Sequence, residues 1–147
     1  MRIKFDTIEN NTLKKYLEEN HEFNNISDNL LESFNGSIEK AMNMRENKDL
    51  YLQLEDMILN INKISKASII NNSNIIYTLK EDASDTLDYI NIILFKKLKE
   101  SRSNQRLMEA YVKCIDSVND AKVRLNGNSN FDMTIDNMLL NIWEELN

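Results

Sequence analysis

Residues 105–127 read QRLMEAYVKCIDSVNDAKVRLNG. Leu107, Met108, Tyr111, Ile115, Val118, Ala121 and Leu125 recur at intervals of three and four, the repeat that turns one side of an α-helix toward an apolar core. Asn126-Gly127 ends the pattern. Downstream, Ile135, Met138, Leu139, Ile142, Trp143 and Leu146 repeat the spacing and predict a last helix. Upstream, Leu87, Ile90, Ile93, Leu94 and Leu98 predict another, with Ser84 as its N-cap. Before it, Ile69, Ile70, Ile76 and Leu79 mark a helix, and Leu50, Leu54, Met57, Ile58, Ile61 and Ile64 a broad apolar stripe.

Shorter patterns occupy the first third. Met1 to Ile8 reads as an extended entry segment. Leu13, Tyr16 and Leu17 mark a helix over residues 10–20. Ser27 or Asp28 caps a second, carrying Leu30, Leu31 and Phe34. Gly36 has the place of a left-handed residue that stops it. Ser37 then has the chemistry of an N-cap, with Lys40 at the third helical position and Ile38, Ala41 and Met42 on the apolar side. The polar run Arg45-Glu46-Asn47-Lys48 is the boundary expected between two units, residues 1–47 with three short helices and 48–147 with five longer ones.

Composition agrees with an all-α class. Proline is absent and only two glycines occur, Gly36 and Gly127, whereas β-rich folds and phosphate-cradling loops draw on both at their turns. Hydrophobic residues at 41% permit a core. A net charge of −6 argues against a general binder of nucleic acid or anionic membrane, which needs clustered Lys and Arg. No apolar run approaches a membrane span and nothing near Met1 resembles a signal peptide. The lone cysteine, Cys114, excludes an internal disulfide and fits a reducing, cytoplasmic setting.

Chemistry is sparse. His21 is the only histidine and lies in the polar stretch Glu19-Asn20-His21-Glu22, an exposed loop by its neighbours. One Cys and one His cannot furnish a structural zinc site, and the two glycines are too far apart for a phosphate loop. Cys114, beside Ile115, reads as a packed thiol. Glu18/Glu19 and Glu144/Glu145 diverge around their helices and read as solvated charge. The one basic concentration, Lys96, Lys97, Lys99, Arg102 and Arg106, spans a helix end and a loop, where cations also oppose the helix dipole. Trp143 reads as core. No cofactor, metal or small-molecule substrate is expected.

Two segments resemble a known family. Phe34-Asn35-Gly36-Ser37-Ile38-Glu39-Lys40-Ala41-Met42 is similar to the start of the last lid helix in clamp-loader subunits of the AAA+ family. Arg124-Leu125-Asn126-Gly127-Asn128-Ser129-Asn130, followed by Ile135-Asp136-Asn137-Met138-Leu139-Leu140, resembles the final helical pair of their collar, with its spaced Asn pair and Leu-rich terminal helix. Their order and their separation of about 90 residues match the C-terminal half of the delta-prime family of bacterial DNA polymerase III clamp-loader subunits. The opening Arg2–Phe5 segment and the Leu13–Leu17 helix fit the lid entry.

The resemblance implies a small three-helix AAA+ lid over residues 1–47 and a five-helix collar over 48–147. Hydrolysing relatives place an arginine after the Gly-Ser-hydrophobe, where it senses nucleotide phosphates. Glu39 stands here, and its charge opposes a phosphate, which favours the non-hydrolysing delta-prime type. Asp6-Thr7 replaces a proline common at the lid entry. The family's nucleotide-fold domain has no counterpart in the sequence, so the chain is expected to be a C-terminal piece. The implied role is non-catalytic. The collar joins gamma/tau and delta subunits in the ring that loads the sliding clamp, and DNA is met only through the assembled complex. Asn35, Gly36, Ser37 and Glu39 form the lid motif, and Asn128 and Asn130 the collar motif. The expected subunit contact is the 105–125 helix and the terminal helix, with Arg102, Arg106, Tyr111 and Trp143. The rival reading is an unrelated helical interaction module, a regulator or adaptor; a DNA-binding protein fits less well for want of a basic recognition helix.

Overall fold

A computed structural model describes residues 9–20, 23 and 26–147. Met1–Ile8 and His21 lie outside them. All regular structure among the described residues is helical: α1 (Asn10–Asn20), α2 (Asp28–Ser33), α3 (Ile38–Arg45), α4 (Lys48–Leu59), α5 (Lys66–Asn72), α6 (Asn74–Thr78), α7 (Ala83–Glu100), α8 (Gln105–Asn126) and α9 (Phe131–Leu146). Short 3₁₀ turns follow α4 at Ile61–Lys63 and precede α7 at Lys80–Asp82. None of these helices is long and apolar enough to cross a membrane.

Helix starts follow side-chain chemistry. Ser27, Ser37, Ser65, Asn104 and Asn130 each accept a hydrogen bond from the amide three residues on, satisfying one of the donors a helix leaves unpaired at its N-terminus. Ser84 does not: it lies inside the first turn of α7, and Asp82 holds the cap position without a side-chain bond. The 3₁₀ turn supplies the difference, since the Ala83 amide donates to the Lys80 carbonyl.

Helix ends follow less local rules. The stripe expected to run on to Ile64 breaks at Asn60, whose side-chain amide donates to the Asp56 carbonyl oxygen (2.9 Å) and competes with helix continuation. The expected Ile69–Leu79 helix is two helices bent at Ser73, a fully buried residue whose hydroxyl donates to the Ile69 carbonyl oxygen (3.1 Å). Ile70, expected in the core, is 49% exposed just before that bend.

The packing is layered. α8 lies along both α7 and α9, α2 and α4 lie on α7, and α5 lies on α9. Leu13, Leu30, Phe34, Tyr51, Leu54, Ile90, Val118, Met138 and Leu139 belong to one buried apolar cluster. The break expected at residues 45–48 is present as a two-residue turn between α3 and α4. The core nevertheless runs across it.

A polar hub reinforces that crossing. The Glu55 carboxylate on α4 accepts through one oxygen from the Ser27 hydroxyl (2.9 Å) and from the Tyr89 hydroxyl of α7 (2.6 Å). Ser27 also caps α2. Tyr89 is fully buried and packs edge-to-face on Tyr51, with ring centroids 5.5 Å apart. Burial, then the bond to Glu55, raises the Tyr89 hydroxyl above the ordinary tyrosine range.

Removing the carboxylate strands the buried Tyr89 hydroxyl, a loss of about 1–3 kcal/mol, whereas removing that hydroxyl forfeits only the net bond, about 1 kcal/mol. Glu55→Ala is therefore expected to lower the urea-unfolding free energy more than Tyr89→Phe. The double variant should cost less than the sum of the two. Strict additivity in that cycle would show that the contact carries no energy.

Candidate interaction surface

The two family-like motifs sit at helix junctions, and each residue has a local task. Asn35 (φ 50°) and Gly36 (φ 71°) both adopt left-handed backbone between α2 and α3. The first left-handed residue after α2 is thus Asn35, one position earlier than Gly36, where it was expected. Ser37 caps α3 through the Lys40 amide (3.1 Å). Glu39 is exposed in the first turn of α3, where a carboxylate favours the positive end of the helix dipole.

The α8–α9 junction works the same way. Gly127 is the C-cap of α8 and keeps a negative φ of −92°, while Asn128 (φ 66°) takes the left-handed position. The Ser129 amide donates to the Arg124 carbonyl (3.1 Å) and the Asn128 amide to that of Leu125 (3.4 Å), which closes a Schellman motif. Asn130 then accepts from the Met133 amide (2.9 Å) and opens α9. A spaced Asn pair here stops one helix and starts the next.

The second junction opens onto a concavity. An open groove of about 440 Å³ runs along the outer seam of α8 and α9 from the Asn130 end. Asp120 and Arg124 of α8 face Asn137, Asn141 and Glu144 of α9 across it. Arg124 is held by Asp120 on its own helix (2.8 Å), so the polar rim is partly neutralised. Met133 lines the groove and is 64% exposed; Val123 of α8, 69% exposed, lies outside that lining. An exposed apolar side chain in a groove with a polar rim is the making of a protein contact.

Of the four residues expected to contact a partner, two are displayed. Arg102 and Arg106 are exposed at the turn joining α7 to α8. Tyr111 is half-buried against the core, and burial, then Cys114 and Glu100, raises its hydroxyl above the usual range. Trp143 is half-buried too, and its ring N–H donates to the Ile64 carbonyl (2.8 Å), which ties α9 to the segment after α4. Trp143 is therefore a fastening in this fold. The residues that the sequence did not single out, Val123 and Met133, stand in the outward stripes of their helices and carried no signal beyond being apolar at a polar register.

No group of three or more metal-ligating side chains comes together among the described residues. Cys114 is fully buried beneath α9, and burial, then Glu145, pushes its thiol up to about 12 from 9.0. Tyr77, bonded to Asp136 of α9, is pushed up to about 12 from 10.0 by burial and that carboxylate. Both groups keep their protons in the folded chain after the unfolded chain has lost them. Unfolding thus releases protons above pH 9, and stability falls as pH rises toward 12. The urea midpoint is expected to drop between about pH 8 and about pH 10.5, and Cys114→Ala to flatten part of that slope. A thiol reagent should label Cys114 only on unfolding; rapid labelling of the native chain would contradict its placement.

In comparison with known proteins, no family model matches the sequence, and no curated protein or solved structure matches it.

Proposed function

We propose that this chain is the lid and collar part of a clamp-loader subunit of the delta-prime kind, a non-catalytic piece of the ring that places the sliding clamp on primed DNA. The observation that carries the reading is the order and separation of two motifs. Asn35-Gly36-Ser37 opens α3, and about 90 residues later Asn128 and Asn130 bracket the turn into a Leu-rich terminal helix. Each motif alone meets the needs of a helix junction. Their joint order is what a generic helical module has no reason to keep.

Two further features support it. Glu39 presents a carboxylate on the exposed first turn of α3, where a hydrolysing relative presents an arginine to phosphate. The long helices α8 and α9 carry exposed Val112, Val123 and Met133, apolar surface suited to side-by-side assembly with other collars. On this reading the partners are the gamma/tau and delta subunits, and DNA is reached only through the complex. The mechanism is positional: the collar sets the geometry in which ATP sites of other subunits work.

Mixing this chain with gamma/tau and delta collar domains should give a co-eluting complex at about 50 µM each. Val123→Glu with Met133→Glu should weaken it at least tenfold, since a charge buried in an apolar contact is left unpaired. Separate elution of the unaltered chain at that concentration would favour an unrelated helical adaptor, whose junctions use the same capping chemistry.

A further inference from the structure

The turn between α7 and α8 lies at the other end of α8 from the groove mouth at Asn130. At 1.5 Å per residue, the 22 residues of α8 separate the two by roughly 33 Å. Residues 95–106 carry five cations, Lys96, Lys97, Lys99, Arg102 and Arg106, and one carboxylate, Glu100, in a chain of net charge −6. Glu100 pairs with Lys97 (3.4 Å). Lys96, Lys99, Arg102 and Arg106 are exposed, and none of the ion pairs among the described residues engages them. Helix-dipole compensation needs one or two cations in the last turn of α7 and gives no role to Arg106, in the first turn of α8.

Apolar surface adjoins these charges. Phe95 is 47% exposed and Val112 46%. The bond from the Asn91 side-chain amide to Asn119 (3.0 Å) and the ion pair of Lys122 with Asp88 fix the register of α7 against α8. Phe95 lies four residues beyond Asn91 and Val112 seven before Asn119, so each continues the stripe that faces the other helix along the exposed seam. That register sets Phe95 level with Ile115, within a turn of Val112. The seam thus ends in an apolar pair beside three cations outside those ion pairs, Lys99, Arg102 and Arg106, while Lys96 lines the groove toward α2 and α4.

We propose that this corner docks an acidic, amphipathic segment of a partner protein, its carboxylates on Arg102, Arg106 and Lys99 and its apolar side chains on Phe95 and Val112. Guanidinium groups take carboxylates in two-pronged bonds, and the apolar pair supplies the desolvated centre that such contacts need. A nucleic acid uses less of what is present. Its backbone needs a longer cationic track than one corner of an acidic protein offers, and Val112 has nothing to meet on a phosphate. This inference stands independently of the clamp-loader reading.

Fluorescence anisotropy tests it with the full chain and a dye-labelled helical peptide of about 14 residues carrying Glu and Leu on opposite faces. Binding near about 100 µM is expected at about 50 mM salt, weakening several-fold by about 300 mM. Arg102→Glu with Arg106→Glu should weaken it at least tenfold and Phe95→Ser about threefold, whereas Met133→Glu in the groove should leave it unchanged. Circular dichroism confirms that each variant is folded. Three results would overturn the proposal: no binding at about 1 mM, equal binding by the charge-reversed chain, or tighter binding of an oligothymidylate of about 15 nucleotides. Loss of co-elution with collar domains, with peptide binding intact, would count against the ring reading alone.

Discussion

One oxygen of Glu55 accepts hydrogen bonds from Ser27 and Tyr89, residues 28 and 34 positions away in opposite directions. Charge-assisted bonds of this kind are stronger than neutral ones, and a fully buried tyrosine hydroxyl has no water to fall back on. The start of α2, the middle of α4 and the middle of α7 must therefore hold one relative placement. Tyr51 from α4 completes the joint by packing edge-to-face on Tyr89 while its hydroxyl meets Thr86 of α7 (3.5 Å). At the surface, Lys40 of α3 reaches Asp85 of α7 (3.7 Å), a solvent-screened pair that adds little. The three short helices are thus fixed on the longer ones by apolar burial and by one polar hub.

That joint gives the functional reading its physical sense. A chain whose contribution is positional works only if its parts keep their angles, and α7 is where α2 and α4 meet α8. α2 and α4 bear on it from one side and α8 from another. α8 then carries outward both surfaces described above, the seam with α9 near Asn130 and the basic corner near Arg106. Two contacts at opposite ends of one stiff helix can be engaged together, and mutations at one should leave the other intact.

Much of this was legible in the sequence, and the reasons for the remainder are physical. α7, α8 and α9 keep a helical apolar repeat over about three or more turns, so their existence and buried faces follow from periodicity. Ser27 and Ser37 announce caps because a hydroxyl before an apolar run has one dominant use. Asn128 and Asn130 drew notice through the family resemblance, and the structure gives them the left-handed stop and the N-cap. Glu55 drew none, because a carboxylate next to Leu54 on an amphipathic helix reads as solvated until its distant partners are known. Trp143 is the same case: its partner is a backbone carbonyl 79 residues upstream, and no local pattern encodes that. Ser84 misled because a serine before a helix is a cap only when no preceding turn already pairs the amides. Exposed apolar residues such as Met133 are equally silent, since the sequence does not say which surface awaits a partner.

Native-state hydrogen exchange under increasing urea tests the central claim most directly, that α1–α3 and α4–α9 are one cooperative body joined through α7. The amides of α2 and α3 should open in the same global transition as those of α7 and α8, with matching dependence on denaturant. Opening of α2 and α3 at several kcal/mol below the global free energy, with α7 and α8 still protected, would contradict it and make the turn at Glu46-Asn47 a true domain boundary.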